Sequence, residues 1–283
     1  VKPILVAGAT GNVGARVVAQ LRARDVPVRA LSRNPPPDGV RGDLAKPETI
    51  APALDGVDTV FLMLNGSAEA LVPTVSLLGE RVKRVVFLSS GAVDDSLAEQ
   101  DNPIGAWHRT VEEAIEASGV DWAFLRPHGF ATNALGWAPA IRADGVVRGA
   151  YGEASMPLIH EKDIAAVAVE ALTGDGHAGA KYVLTGTRPI TQIEQVRIIG
   201  EAAGRPARWE ELSLEAAREA MLAKMPDFIV DTMLAGFRAL ATEPSEVTST
   251  VQDVTGRPGL DFETWAADHA ADFRPHKPSS ALA

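Results

Sequence analysis

The chain has 283 residues, 46% of them hydrophobic and 23% charged, with a formal net charge of -10, enough for one large domain or a main domain with a smaller lobe around a real core. That acidity, with no Lys or Arg run long enough to track a phosphate backbone, argues against nucleic acid as a direct partner. The absence of cysteine excludes disulfides, thiolate nucleophiles and sulfur-ligated zinc together.

The N-terminal "VKPILVAGATG" enters a glycine turn after one short apolar run, without the basic region, long hydrophobic core and cleavage site of a leader. No later apolar segment has the length to span a bilayer, so a cytoplasmic protein without membrane contact is expected. In chain order, β-type runs alternate with amphipathic ones: "PILVAG", a helix from Asn12 to about Arg24, "VPVRALS", a helix from Lys46, "TVFLML", a helix from Ser67, "RVVFLSS", a helix around His108 to Ser118, and "VDWAFLRP". This alternation predicts an α/β fold with a doubly wound parallel sheet. After Pro127 the rhythm breaks into a segment rich in glycine and aromatics. Then "DIAAVAVEAL" predicts a helix capped by Asp163, "KYVLTG" another strand, and from Thr191 helices dominate. The expected organisation is a coenzyme domain over residues 1–130, residues 131–273 partly completing its sheet and partly forming a smaller, mostly helical substrate lobe, and a flexible tail at 274–283.

"ILVAGATGNVGARVVAQL" places Gly8, Gly11 and Gly14 between a strand and a helix, with Thr10, Asn12 and Val13 in the same turn. A pyrophosphate needs such a turn: tight, open enough for close backbone approach, and followed by helix N–H groups at the positive dipole end. The spacing is G-x-x-G-x-x-G, not the G-x-G-x-x-G of many dehydrogenases, but its setting at the start of a βαβ pattern is the one a dinucleotide fingerprint requires. The second strand ends "RALSRNPPP", with Ser32 and Arg33 where an NAD site places an acid for the ribose 2'-hydroxyl. A guanidinium there suits a 2'-phosphate, so NADPH is favoured over NADH. Asp43 and Leu44, in "RGDLAKP", follow the third strand; Asp43 has two readings, an acceptor for the adenine amino group or a turn or helix cap. Leu64, Asn65 and Gly66 after the fourth strand, and Ser89 and Ser90 after the fifth, are placed for coenzyme contacts at the ligand-binding edge of the sheet.

With "VAGATGNVG", "ALSRNP", "GDL", "VVFLSSGA", "HRTVEEAIEASGVDWAFLRPHGFATN" and "DIAAVAVEAL" in this order, the chain resembles the NmrA-like branch of the atypical short-chain dehydrogenase/reductases. The likeness continues through "GRPARWEELSLEAAREA" and "TGRPGLDFETWAADHAADF" and so covers nearly the whole chain. It implies a Rossmann domain with NAD(P)H on the Gly8 to Gly14 turn, a substrate cleft beside it, and a loop at Pro127, His128 and Phe130 that touches the nicotinamide. The branch holds quinone and azo-type reductases, isoflavone-type reductases and non-catalytic NADP sensors.

The short-chain pattern Tyr-x-x-x-Lys falls here on Ile104 and His108, its hydroxyl partner falls near Ser90 and Gly91, and the two tyrosines, Tyr151 and Tyr182, lack the lysine four residues on. Hydride attack on an isolated ketone makes a basic alkoxide that needs an acid. A quinone or extended enone spreads the charge, and each unit of lower basicity is worth about 1.4 kcal/mol. The reading is therefore an NAD(P)H-dependent reductase of a conjugated carbonyl compound, most of all an aromatic or polycyclic quinone, able to feed a later oxygenation with or without a partner protein. A non-catalytic redox sensor is the alternative, and a nucleotide-sugar epimerase or dehydratase ranks third. His108 is the catalytic candidate, as a proton donor or as a hydrogen-bond partner of a carbonyl or of the nicotinamide ribose, with Glu112 one turn below to hold its ring; a helix-face histidine paired with a carboxylate is the other reading. Arg126 is expected at the rim of the site. Trp107, Phe130, Asn133, Trp137 and Phe228 are candidates for the substrate pocket, with Met156, Met233 and Phe237 as further apolar walls. No metal or flavin is expected; His160 and Asp163, in "LIHEKDIA", look like a turn and a cap rather than metal ligands.

Overall fold

The structure is a computed structural model that describes residues 2–64, 66–243 and 246–275. Asn65 and the tail from residue 276 lie outside the described residues. The chain first lays down β1 (Ile4–Ala7), α1 (Asn12–Ala23), β2 (Val28–Ser32), β3 (Val40–Arg41), α2 (Pro47–Ile50), β4 (Thr59–Met63), α3 (Ala68–Arg81), β5 (Arg84–Leu88), α4 (Pro103–Ser118) and β6 (Asp121–Pro127). There follow β7 (Gly129–Phe130), α5 (Ala138–Ala143), β8 (Val146–Gly149), β9 (Ser155–Met156) and β10 (Leu158–Ile159), then α6 (Glu161–Thr173) and β11 (Ala180–Leu184). The last part holds β12 (Ile190–Thr191), α7 (Gln192–Ala203), β13 (Arg208–Glu211), α8 (Leu214–Leu222), α9 (Asp227–Leu240), α10 (Thr250–Thr255) and α11 (Phe262–Asp268).

These elements form two compact units. The first takes residues 1–128, 161–185 and 248–259 and holds a seven-stranded sheet in the order β11-β6-β5-β4-β1-β2-β3. Every pairing in it is parallel, which accounts for strands that read as near-continuous apolar runs with both faces buried. Leu5, Leu62, Phe87 and Phe124 pack with Leu71, Val75, Leu78, Val111 and Ile115 of α3 and α4 in one core cluster, while α1 packs against α6. The doubly wound α/β fold read from the sequence is the fold observed.

Local chemistry sets the helix ends. Ser67 accepts the Ala70 N–H at 3.2 Å to start α3, and Asn102 accepts the Gly105 N–H at 2.7 Å ahead of Pro103 to start α4. Caps of this kind are each worth about 1 kcal/mol. The α4 helix therefore begins a turn before the expected start near His108. The helix expected from Lys46 is a single turn, since Pro52 brings a 3-10 turn at Ala51–Leu54. Asp163 is not at the N-cap position: α6 starts at Glu161, and Asp163 lies buried inside the first turn with Oδ1 2.7 Å from Arg257 Nη2.

The second unit takes residues 129–160, 186–247 and 260–283. Its strands only pair off, β7 with β10 and β8 with β13 in parallel, β9 with β12 antiparallel, and its core is helical and aromatic. Fully buried Trp265 stacks on Phe262 with centroids 5.0 Å apart and meets Phe273 edge-on at 6.2 Å. In the glycine-rich stretch, Trp209 lies on Gly149 and Gly152, where a Cβ would come within 2.5 and 2.6 Å of the indole. Glu211 accepts the N–H of Tyr151, which sits at φ 60°, at 2.6 Å.

Candidate coenzyme and active site

The glycine turn brings its chain segments into close approach. Gly8 sits at φ +66°, and a Cβ there would meet Met63 Sδ at 2.1 Å. A Cβ on Gly14 would meet the Gly8 carbonyl oxygen at 2.2 Å, so only glycine lets the first turn of α1 pass this close to β1. The Gly11 N–H donates to Gly8 O at 2.9 Å and closes the turn. Gly11 is also the N-cap of α1 and offers no side chain, and the first turn carries no acidic residue. The leading N–H groups of the helix thus have no side-chain cap, and no acidic first-turn residue offsets their partial positive charge.

Beside this turn lies a cavity of about 180 Å³, lined by Gly8, Thr10, Gly11, Leu31, Ser32, Arg33, Gly42, Leu44 and Met63. Thr10 Oγ1 and Ser32 Oγ are 2.9 Å apart, and Ser32 also accepts the Asn34 N–H at 3.2 Å. Arg33 is exposed at the cavity wall and no described carboxylate pairs with it. An open helix start, a cation and two hydroxyls around an apolar floor offer the groups that a dinucleotide's phosphates and ribose bind. Asp43 spends Oδ1 on the Ala45 N–H at 3.1 Å, the turn role among its two readings, with its second oxygen not bonded to any described group. Sequence reasoning did not single out Leu31, Gly42 or Met63; their signal was position, at or just beyond the C-terminal ends of strands.

At the other end of the same sheet edge, Leu64 packs against the core and Gly66 sits exposed at φ +95°. Ser89 is buried, and its Oγ donates to Glu112 Oε1 at 2.6 Å. Ser90 Oγ accepts the Ala92 N–H at 3.1 Å. Pro127 is buried, with its carbonyl accepting the Gly91 N–H at 2.8 Å. His128 follows it, exposed, with its ring over Gly91.

Two expectations change here. Glu112 does not hold His108, and Arg126 is not at the rim. Arg126 is 4% exposed and binds fully buried Glu112 in a two-pronged pair, Nε to Oε1 at 2.9 Å and Nη2 to Oε2 at 2.6 Å. It also reaches Asp95 at 2.8 and 3.0 Å, and Lys181 closes on Asp95 at 3.0 Å. Hydrogen bonds from Arg126, and then from Lys181, hold the Asp95 carboxyl well below the usual carboxylate range despite some desolvation. The network ties β5, α4, β6, β11 and the loop after β5 together beneath the rim.

His108, freed from Glu112, places Nδ1 2.8 Å from the Ile104 carbonyl. A carbonyl only accepts, so Nδ1 carries the proton, and in the neutral ring Nε2 is left an acceptor. Burial pushes the imidazole down from its ordinary value, against the opposing pull of the Ile104 bond and the Glu112 charge. The ring keeps to its neutral form.

The substrate candidates fall in both units. Trp107 packs against the core cluster of the first. In the second, Phe130 is half-buried on β7, Asn133 is exposed in the 3-10 turn Ala131–Trp137, and Trp137 meets Trp209 edge-on at 6.1 Å. Met156 is half-buried, as are Met233 and Phe237 on α9, which also carries exposed Phe228. His160 Nε2 lies 3.1 Å from Asp268 Oδ2.

A parallel sheet with a glycine cradle, an open helix start and an exposed arginine at its C-terminal edge defines a dinucleotide-dependent protein of the Rossmann class. The model of the NAD(P)H-binding family matches residues 8–175, and the chain belongs to that family as an NAD(P)H-dependent oxidoreductase. It is 41% identical to the (4-alkanoyl-5-oxo-2,5-dihydrofuran-3-yl)methyl phosphate reductase of Streptomyces griseus, over 96% of this chain and 99% of that one. It is 36% identical to the NAD(P)H azoreductase of Xenophilus azovorans, over 95% and 99% respectively. Among solved structures, an NADPH-dependent quinone oxidoreductase of Escherichia coli complexed with NADPH shares the fold with a TM-score of 0.74 at 21% identity, covering 94% of this chain and 99% of that one. Among the described residues no helix is long and apolar enough to cross a membrane.

Proposed function

We propose that this chain uses NADPH in preference to NADH to reduce a conjugated carbonyl acceptor, an aromatic or polycyclic quinone above all. The observation that carries the reading is the pair Ile104 and His108 standing where short-chain reductases have tyrosine and lysine. Neither tyrosine of the chain is followed by a lysine four residues on, and the Tyr182 Oη is 2.7 Å from His177 Nδ1. An isolated ketone needs that acid; a conjugated acceptor spreads the incoming charge and does without it. The relatives support this, since the Streptomyces enzyme is named for a dihydrofuran whose ring double bond is conjugated to a carbonyl, and the Xenophilus enzyme for azo compounds.

When bound, the reduced nicotinamide supplies the hydride. The α1 N–H groups would take its pyrophosphate, Arg33 and Ser32 the 2'-phosphate, Asp43 and Leu44 the adenine side, and the backbone at Ser89 and Pro127 the nicotinamide half, with Asn65, outside the described residues, as a further candidate. His108, with only Nε2 open, accepts a hydrogen bond from a ribose hydroxyl instead of donating a proton. Trp107, Phe130, Asn133, Trp137 and Phe228 are our candidates for acceptor contacts. A reduced polycyclic quinone can pass two electrons and two protons to dioxygen, giving the quinone and hydrogen peroxide; insertion of an oxygen atom instead, alone or with a partner protein, is the further step this reading includes. The test is NADPH and NADH oxidation with simple ketones, enones and polycyclic quinones, in air and without oxygen. Turnover confined to conjugated acceptors is expected; equal turnover of simple ketones, or none of any acceptor with coenzyme bound, overturns the reading.

A further inference from the structure

His108 cannot donate from a neutral ring, because its one N–H is already spent on Ile104. The sheet edge carries a second imidazole. His128 stands at the C-terminal end of β6, with its backbone N–H fixed to Leu184 O at 3.1 Å and its predecessor Pro127 held by Gly91 at 2.8 Å. The residue is exposed and its ring makes no hydrogen bond to any described group. Gly91 gives the ring its place: a Cβ there would come within 2.4 Å of Cδ2 and 2.9 Å of Cγ and Nε2. The Cδ2 edge thus rests on bare backbone and Nδ1, on the opposite edge, is turned away from it. In a doubly wound sheet this edge, past the switch point between β1 and β4, is where the reacting half of a dinucleotide lies.

We propose that His128, and not His108, donates the hydrogen bond that stabilises the acceptor's carbonyl oxygen as negative charge develops on it. The proposal rests on the reductase reading above. Partial desolvation keeps the His128 imidazole below its ordinary pKa, so the ring is a neutral N–H donor near neutrality. A neutral donor suffices for a conjugated acceptor. Two electrons and one hydrogen reach the acceptor from the reduced nicotinamide, the oxyanion so formed rests against the His128 N–H, and the proton that completes reduction comes from water. The imidazole keeps its own proton throughout. Gly91 then serves as the platform that aims the donor, a role no glycine-for-flexibility argument supplies, since Gly91 is not among the residues at positive φ.

Two measurements test it, with 1,4-naphthoquinone as the probe. In the first, His128→Ala is expected to lower kcat about a hundredfold, the size of effect seen when one oxyanion donor is removed, a loss far larger than any change in the Kd for NADPH. His128→Asn, which restores a donor, recovers most of the loss, and Gly91→Ala, which pushes the ring aside, mimics the Ala variant. In the second, the histidine side chains are labelled with 15N and NADP+ with naphthoquinone, a pair that cannot react, is added to the wild-type protein. The resonance that disappears in His128→Asn is expected to shift, and that of His108 to respond to NADP+ alone. An unchanged kcat in His128→Ala, a loss confined to coenzyme affinity, or a His128 resonance indifferent to the quinone overturns the proposal. Wild-type protein inert to every acceptor sinks the reductase reading itself, while turnover that survives His128→Ala sinks only the assignment of His128.

Discussion

Gly8 and Gly14 meet different neighbours, and the difference is measurable. The obstacle at Gly8 is the flexible thioether of Met63, added to the strain of φ +66°; at Gly14 it is the backbone oxygen of Gly8, 2.2 Å from the added carbon, which has nowhere to go. Gly14→Ala is therefore expected to cost more in thermal stability and in coenzyme binding than Gly8→Ala, each in the range of about 1–3 kcal/mol typical of overpacking. Equal melting temperatures would contradict the assignment of the closer contact to backbone. Arg33, exposed beside Ser32 and paired with no described carboxylate, is expected to bind the 2'-phosphate of the ribose. Arg33→Asp should weaken NADPH binding by about ten- to a hundredfold, the worth of charge-assisted hydrogen bonds, and leave NADH little changed. Isothermal titration with both coenzymes decides it, and parallel losses would remove the 2'-phosphate role. The turn and the arginine were both legible in the sequence because they are local: glycines and a basic residue at fixed offsets from strand ends. The partner of His108 was not, since an i to i+4 spacing permits the Glu112 contact and only the β6 guanidinium, fourteen residues on, draws that carboxylate away.

At the scale of elements, the buried pair between α4 and β6 is the feature that composition hid. Removing one member strands the other: Glu112→Leu is expected to destabilise the protein by about 3–5 kcal/mol. The double change Glu112→Leu with Arg126→Met should cost less than that single change, because no uncompensated charge remains buried. Urea unfolding of both proteins reads the coupling, and simple additivity would argue that the pair is not acting as one unit. Asp95 adds a pH signature. Its folded pKa is depressed below the unfolded value, so its contribution is complete above about pH 4 and is lost as pH falls through the folded pKa. Asp95→Asn should therefore lower the urea midpoint at pH 7 and narrow the gap from wild type as pH drops towards 3. A gap independent of pH would mean the charge contributes nothing. The helix ends show the same division between local and distant causes. Asn102 and Pro103 start α4 by chemistry visible in sequence, whereas the ion pair of Asp163, inside the first turn of α6, comes from Arg257, ninety-four residues on.

For the whole molecule, the first unit is not a contiguous piece of chain. Its edge strand β11 pairs with β6 from Ala180↔Ala123 to Leu184↔Pro127, and α6 lies against α1 with Arg24 to Glu170 at 2.5 Å and Gln20 Nε2 to Lys162 O at 2.9 Å. A fragment of residues 1–130 loses both and is expected not to fold cooperatively, which circular dichroism melting would show; a sharp two-state melt would refute that dependence. The sequence alone determined the repeating β and α pattern, the glycine cradle, the cation beside it and the missing tyrosine and lysine, because each depends on neighbours a few residues apart and on the hydrophobic periodicity that any sheet or helix must display. Tertiary structure alone decided which later segments return to complete the sheet, that Arg126 and Glu112 neutralise each other in the interior, and that His128 lies uncommitted on Gly91 while His108 is spent on its own helix. Those outcomes depend on which charges and rings meet after folding, when desolvation makes an unpaired group costly and the nearest partner in space, not in sequence, takes it.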